Sequence, residues 1–326
     1  MKHAAPAPFD VVTGAAGLLG FDVCRELLSR GARVLAVDRF DKGGRADLEA
    51  LRARYPEQLE VLEADLGRET QKLALAWQSQ ARTVFHLAAI VGVRAVEDAP
   101  YRTLQVNLRS TLDVLDLARS RGAARCFFAS SSENYAAVVS RGLAPVPTAE
   151  EVLIGIDDPS LPRWSYAASK IAGESALFAA ARGAGFVPLV GRFHNVYGPR
   201  MGPTHVVPEL LERCARRVDP FPLWGAEQTR SFLHVHDAAR AVVLLSERGE
   251  AGVYNVGSAV ETPIEELAQR CFDISGHRPK TLERRPAPRG SVARRVPDVS
   301  KLALLGFTPG IDLDSGLREC WRSVAR

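Results

Sequence analysis

Short runs rich in Val, Leu and Phe alternate along the first two thirds of the chain with longer stretches whose apolar residues recur every three or four positions. The short runs predict strands over 9–13, 33–37, 59–63, 83–87, 125–129 and 186–191. The longer stretches predict helices over 18–30, 45–54, 69–78, 101–121 and 166–182. Strands alternating with helices of this length predict a doubly wound α/β fold. Its sheet should be parallel, with helices on both faces and right-handed crossovers. Residues 138–163, rich in Pro and Gly, break the rhythm and read as a loop. The tail is mixed: a Pro-rich stretch at 199–208, a helix near 208–217, a strand at 231–235, a helix at 236–248, then irregular and helical pieces. The basic run 284–295, with Arg284, Arg285, Arg289, Arg294 and Arg295, falls between these and reads as a loop. No repeat or low-complexity block appears.

Composition narrows the class. The 326 residues are 46% hydrophobic and 25% charged, ordinary values that exclude disordered, collagenous and coiled-coil chains. The length fits about two domains. A net charge of +4 is too mild to imply nucleic-acid binding and fits an anionic small-molecule site. Cys24, Cys126, Cys214, Cys271 and Cys320 are scattered, odd in number and without C-x-x-C spacing. They argue against a disulfide framework or a zinc site, so no metal is expected and a reducing compartment is. No run reaches the ~18 apolar residues of a membrane span. The N-terminus carries no signal-peptide core, and a cytoplasmic location is expected.

The first strand leads into Thr13-Gly14-Ala15-Ala16-Gly17-Leu18-Leu19-Gly20 and the first helix. A pyrophosphate can reach the backbone N–H groups of a helix N-terminus only where side chains do not block it, which Gly14 and Gly17 provide; Gly20 lets the helix pack on the sheet. Asp38 ends the second strand, placed to accept from ribose hydroxyls and to repel a 2′-phosphate, which favours NAD over NADP. Arg39 beside it is the counterargument. Asp65 and Leu66 follow the third strand, near the expected adenine. Leu87, Ala88 and Ala89 follow the fourth, small enough for a cofactor to lie against the backbone.

Tyr166 and Lys170 stand four apart at the start of a helical pattern and share one face. An ammonium near a phenol favours the phenolate, making Tyr166 a usable base. Upstream, Ala129-Ser130-Ser131-Ser132-Glu133-Asn134-Tyr135 ends the fifth strand. With the glycine loop, Asp38, HLAA at 86–89, Asn107, YAASK, RFHNVYGPR at 192–200 and Pro297-Asp298-Val299-Ser300-Lys301, this set resembles the extended short-chain dehydrogenase/reductases over nearly the whole chain. These include the nucleotide-sugar epimerases, dehydratases and decarboxylases. The resemblance implies Ser131, Glu133, Tyr166, Lys170 and Arg295 as catalytic residues and adds Asn107, Tyr166 and Lys170 to the cofactor site. On an extended backbone Ser131 and Glu133 would point to the same side. An acid at 133 is the pattern of members that work at C5 of the sugar.

Gln228-Thr229-Arg230-Ser231-Phe232, Tyr197-Gly198-Pro199-Arg200-Met201 and Arg285-Pro286-Ala287-Pro288 with Arg294-Arg295-Val296-Pro297-Asp298 resemble the corresponding segments of UDP-glucuronate decarboxylases. That likeness implies Asn195, Arg200, Arg230, Arg285 and Arg295 as substrate residues. Arg230 would meet the diphosphate and Arg295 the uronate carboxylate. The chain departs from the pattern at Asn134-Tyr135-Ala136, at His194, at Gly290-Ser291, at Val296 and in the length of 138–163. His194 reads as a packed or hydrogen-bonded histidine.

The resemblance implies NAD retained through the cycle, a UDP-sugar substrate and a homodimer joined by a four-helix bundle. The helix near 101–121 and the Tyr166 helix, with Ile171, Ala172, Ala176, Leu177, Ala179 and Ala180, are the candidates for that bundle. It also implies a cofactor domain of residues 1–193 with 229–256 returning to it, and a discontinuous substrate domain of 194–228 and 257–326. The expected reaction is decarboxylation of UDP-glucuronate through a 4-keto intermediate. The alternatives are a 4-epimerase, then a 4,6-dehydratase and, in another class, a non-catalytic NAD-sensing regulator.

Overall fold

The computed structural model describes residues 9–287 and 291–325. A seven-stranded sheet, every pair parallel, runs in the spatial order 252–256, 187–193, 125–131, 83–86, 9–13, 33–38, 59–63. This is the doubly wound α/β fold that the alternation predicts. The chain order reverses between Phe9–Thr13 and Thr83–His86, and the strand C-termini on either side open the crevice where such folds bind ligands.

Each face of the sheet carries its own core. Val12, Phe85, Phe127, Leu189 and Val256 face one side, against helices Leu18–Ser29 and Val235–Arg248. Val11, Leu35, Val84, Phe128 and Val190 face the other, against Pro100–Ser120 and Trp164–Ala181. The period-2 alternation within each strand feeds the two cores. The inner strands are apolar on both faces because neither meets water. A third cluster, from Tyr197 and Phe221 to Phe272 and Leu317, is built by residues of 197–232 and 264–324.

Several elements differ from expectation. The strand predicted at 125–129 continues to Ser131, because the edge facing Val187–Phe193 stays paired to that residue after pairing with Thr83–His86 ends at Phe128. The predicted loop 138–163 begins inside a helix, Ala136–Ser140, and pairs locally through Thr148 and Pro297. The strand predicted at 231–235 is two short strands, Thr229–Ser231 and Leu233–His234, in different sheets. The basic run is not a loop throughout. Leu282–Arg285 pairs with Phe221–Trp224, and Arg294–Arg295 pairs with Thr229–Ser231. Arg289 lies outside the described residues. No helix among the described residues is long and apolar enough to cross a membrane. All five cysteines are buried and unpaired.

Candidate active site

The glycine loop closes over the switch point. Gly14 has φ +71°, and a Cβ there would lie 2.8 Å from the backbone of Ala88, so glycine is needed for both shape and space. A Cβ on Gly20 would collide with the Gly14 carbonyl. Gly17 is the residue before the helix, with extended backbone, and its surface is exposed. Asp38 accepts from the Ala16 N–H at 2.9 Å and the Phe40 N–H at 2.8 Å, which ties the second strand to the loop. The Arg39 guanidinium faces Asp41 at 2.9 Å and Asp65 at 3.7 Å, so its charge is already balanced. This cradle, with a carboxylate at the strand end, fits a dinucleotide. Leu18, Leu19, Leu87, Ala88 and Ala89 are half-buried around it.

Three expected contacts are relocated. Leu66 is buried in the apolar core, so its side chain cannot line the crevice. Asn107 uses its amide within the protein. It accepts from the Ile90 N–H at 2.7 Å and donates to the Ile90 carbonyl and to Ser169 Oγ at 3.1 Å, fastening the loop after the fourth strand to the Tyr166 helix. Arg200 lies against the glycine loop rather than beside Arg230. It donates to the Ala16 carbonyl at 2.9 Å, stacks on Phe21 and pairs with Asp47.

The helix Trp164–Ala181 sits close to the sheet because Gly173 leaves room for the ring of Phe128. That closeness places Tyr166 and Lys170 at the end of the fifth strand. Lys170 donates to the Ala129 carbonyl at 2.7 Å, and its Nζ lies 5.6 Å from the centre of the Tyr166 ring. The expected direction of the phenol shift is reversed here. Burial pushes Tyr166 up to about 12, against a side-chain hydrogen bond with Ser131 that pulls it down, and the nearby Glu133 charge adds to the rise. Burial likewise lowers Lys170 to about 7. Both groups are desolvated, so each favours its uncharged form.

Ser131 is extended, but the chain then turns into a 3₁₀-helix, Ser132–Tyr135. The extended spacing expected for Ser131 and Glu133 therefore does not hold. Instead the Ser131 hydroxyl caps the turn by accepting from the Glu133 N–H at 3.1 Å. Glu133 turns toward Arg295, whose Nη1 donates to it at 2.6 Å, and Arg163 lies 3.5 Å away. The parallel pairing of Arg294–Arg295 with Thr229–Ser231 sets Arg295 directly opposite Arg230. Burial disfavours the Glu133 charge, yet Arg295, then Arg163 and Arg230, hold its carboxyl below the usual range. Burial and the Arg295 charge lower Arg230 to about 10. Arg295 Nε is buried with no hydrogen-bond partner among the described residues. One carboxylate among three guanidiniums leaves an excess of positive charge beside Ser131 and Tyr166.

The other proposed substrate residues stand apart. Arg285 pairs with Glu283 at 2.7 Å and covers Trp224. Asn195 donates to the Ser231 carbonyl at 3.0 Å. His194 is buried, stacks on Tyr135 and faces Asn255 Oδ1 at 3.2 Å; burial lowers it to about 3.

Behind the site lies a buried polar network that sequence reading missed. Arg192 forks onto Glu174 with bonds of 2.9 and 2.7 Å, and Asn134 donates to the same carboxylate at 2.8 Å. Arg192 also donates to Tyr135 Oη and to the Glu150 carbonyl. Glu150 accepts from the Asn255 N–H, and Asn255 Nδ2 donates to the carbonyls of Thr148 and Asp298. The stretch 138–163 is thereby tied to the segment that carries Arg295. Arg192 stood in a quoted motif and Glu174 on the Tyr166 helix, but nothing local signalled that they pair. Arg163, three residues before Tyr166, was the nearest available signal for the third guanidinium.

A family model described as the NAD dependent epimerase/dehydratase family matches residues 11–257. A UDP-N-acetyl-alpha-D-glucosaminuronate decarboxylase of Bacillus cytotoxicus is 31% identical over 95% of this chain and 95% of its own. UDP-glucuronic acid decarboxylase 1 of Arabidopsis thaliana is 29% identical over 94% of this chain and 67% of its own. Among solved structures, a UDP-glucose 4-epimerase of Thermotoga maritima with UDP-glucose superposes with a TM-score of 0.85 at 26% identity, covering 97% of this chain and 98% of that one.

Proposed function

Because the chain belongs to the NAD-dependent epimerase/dehydratase family, we propose that it releases CO₂ from a UDP-hexuronate, UDP-glucuronate or its 2-acetamido analogue. It is an NAD-dependent enzyme of nucleotide-sugar modification. The observation that carries the finer reading is the Glu133–Arg295 pair, with Arg163 and Arg230 around the same carboxylate, beside Ser131 and Tyr166. The diphosphate of any UDP-sugar gives Arg230 a counter-charge, and a C5 carboxylate would add one for Arg295 that a neutral hexose lacks. The decarboxylase names of two relatives, one matched over 95% of its length and the other over 67%, support the same reading.

NAD, when bound, would supply a reversible hydride acceptor for C4. Gly14, Gly17 and Gly20 would hold its pyrophosphate and Asp38 its ribose. Tyr166 takes the proton of the C4 hydroxyl, with Ser131 hydrogen-bonded to the phenol and Lys170 stabilising the phenolate when protonated. A ketone at C4 makes the C5 carboxylate a β-keto acid. Arg295 orients that carboxylate, CO₂ leaves, and Ser131 and Tyr166 stabilise the enolate at C4. Glu133, held ionised by Arg295, accepts from and orients the water that would protonate C5, the hydroxide taking up the proton that Tyr166 removed from the C4 hydroxyl.

The second reading, a UDP-sugar 4-epimerase, is favoured by the superposition on an epimerase. Incubation with UDP-glucuronate, its 2-acetamido analogue and UDP-glucose, followed by mass spectrometry, separates the two. Loss of CO₂ from a uronate supports decarboxylation; isomers of unchanged mass support epimerisation and overturn it. The same reading includes a reducing, cytoplasmic location and a homodimer built on Pro100–Ser120 and Trp164–Ala181. Ile171, Ala172, Ala176 and Ala180 are half-buried and Ala179 is exposed, while Leu177 packs wholly into its own core. Tyr101 and Leu112 are exposed on the neighbouring helix. Light scattering at micromolar concentration should give twice the chain mass.

A further inference from the structure

A second cluster of titratable side chains shares no residue with the catalytic set. His234 ends the strand Leu233–His234, and His236 sits in the first turn of helix Val235–Arg248. Glu319 comes from the C-terminal helix Leu313–Val324, and Asp22 from the first helix, Leu18–Ser29. One donor atom from each of His234, His236 and Glu319 lies within 4.8 Å of the others. His234 Nε2 is 3.4 Å from Glu319 and His236 Nε2 is 3.9 Å from it. His236 Nε2 is also 3.3 Å from Asp22 Oδ1.

Two features point to a ligand rather than to a surface charge pair. His234 is fully buried, and its Nε2 has no hydrogen-bond partner among the described residues. Successive donors are also near the separation that one ion imposes, at 3.4 Å for His234–Glu319, 3.9 Å for His236–Glu319 and 3.3 Å for His236–Asp22. Tetrahedral bonds of about 2.0–2.2 Å put neighbouring donor atoms about 3.3–3.6 Å apart. We propose that His234, His236, Glu319 and Asp22 form a binding site for a zinc-type divalent cation that ties the C-terminal helix to the first helix.

Two imidazoles and two carboxylates are a donor set that zinc accepts. His234 Nδ1 accepts from the His236 N–H at 3.4 Å, longer than an ordinary bond, so the tautomer is only loosely held. Glu319 and Asp22 repel each other, and a cation between them removes that repulsion. Arg25, 2.8 Å from Asp22, is the competing positive charge. His236 and Glu319 are partly exposed and leave the ion a way in. The Tyr197 ring packs edge-on against His234 at 5.3 Å, but its hydroxyl donates to the Leu313 carbonyl, and Cys320 beside Glu319 is buried, so the role is structural.

The test uses tag-free, chelator-stripped full-length protein titrated with zinc chloride by calorimetry, with melting followed in parallel. The expected result is one zinc per chain and a Tm that rises with zinc concentration. Cobalt(II) in its place should give the visible absorption of a four-coordinate ion. Glu319→Gln and His236→Gln, both at partly exposed positions, should each weaken zinc binding at least about tenfold, the scale seen even for outer partners of metal ligands. Both should keep the metal-free Tm and the NAD content. No stoichiometric zinc uptake, or uptake unchanged in both variants, overturns the proposal. Neither outcome bears on decarboxylation.

Discussion

Arg295 and Glu133 can be separated experimentally because their bond is direct and half-buried. The side chains are 16% and 28% exposed, and the contact is 2.6 Å. A charge-assisted hydrogen bond of this kind contributes about 1.5–3 kcal/mol; solvent screening at this exposure brings the figure toward the lower end. Arg295→Lys retains the charge but removes the planar fork that donates to Glu133. Glu133→Gln retains the shape and leaves Arg163, Arg230 and Arg295 without their shared counter-charge. Each variant should lower kcat/KM for CO₂ release from the accepted UDP-uronate at least about tenfold, roughly 1.4 kcal/mol of transition-state stabilisation. The double variant should lose less than the product of the single losses, because the two groups act on one carbon and touch each other. UDP affinity should not fall in Glu133→Gln, since Glu133 is assigned to the sugar ring and its charge opposes, rather than aids, diphosphate binding at Arg230. The assay is CO₂ release beside UDP titration for the four proteins of the cycle. Wild-type rates in both single variants, or losses that multiply in full, would refute this account of the pair.

Tyr166→Phe should lower turnover by about 10²–10⁴, the range of a positioned acid–base group, while retaining NAD; near-normal turnover would remove Tyr166 from the chemistry. Denatured enzyme should release NAD rather than NADP, because Asp38 stands at the ribose position and Arg39 is already paired with Asp41; predominant NADP would contradict that assignment. His86, buried between Thr13 and Thr111, and His194 are both lowered to about 3 by burial. Their unfolded forms protonate first, so their contribution is complete above about pH 6.5 and is lost as pH falls toward 3, at up to about 1.4 kcal/mol per pH unit for each. Tm measured from pH 7 to 4 should fall accordingly and fall less in His194→Gln; an identical slope in that variant would exclude His194 from the effect.

The elements that local pattern specifies were legible in the chain. Period-2 and period-3.6 alternation locates the strands and helices of the parallel sheet, since each strand end and helix start depends on residues a few positions apart. The glycine loop, Asp38 and the Tyr166–Lys170 pair are read in the same way, from spacing on one turn or one helical face. What local spacing does not carry is the choice of partner across the fold. Glu133 meets Arg295 over a separation of 162 residues only because two short strands pair in one register and set Arg295 opposite Arg230. The fork of Arg192 on Glu174, the fastening of Asn107 to Ser169, and the meeting of His234 and His236 with Glu319 are of the same kind. Protonation is decided later still. The i, i+4 spacing implied a lowered phenol at Tyr166, but burial of both partners raises the phenol and lowers the lysine, because desolvation depends on the whole packed surroundings and not on the distance between two residues.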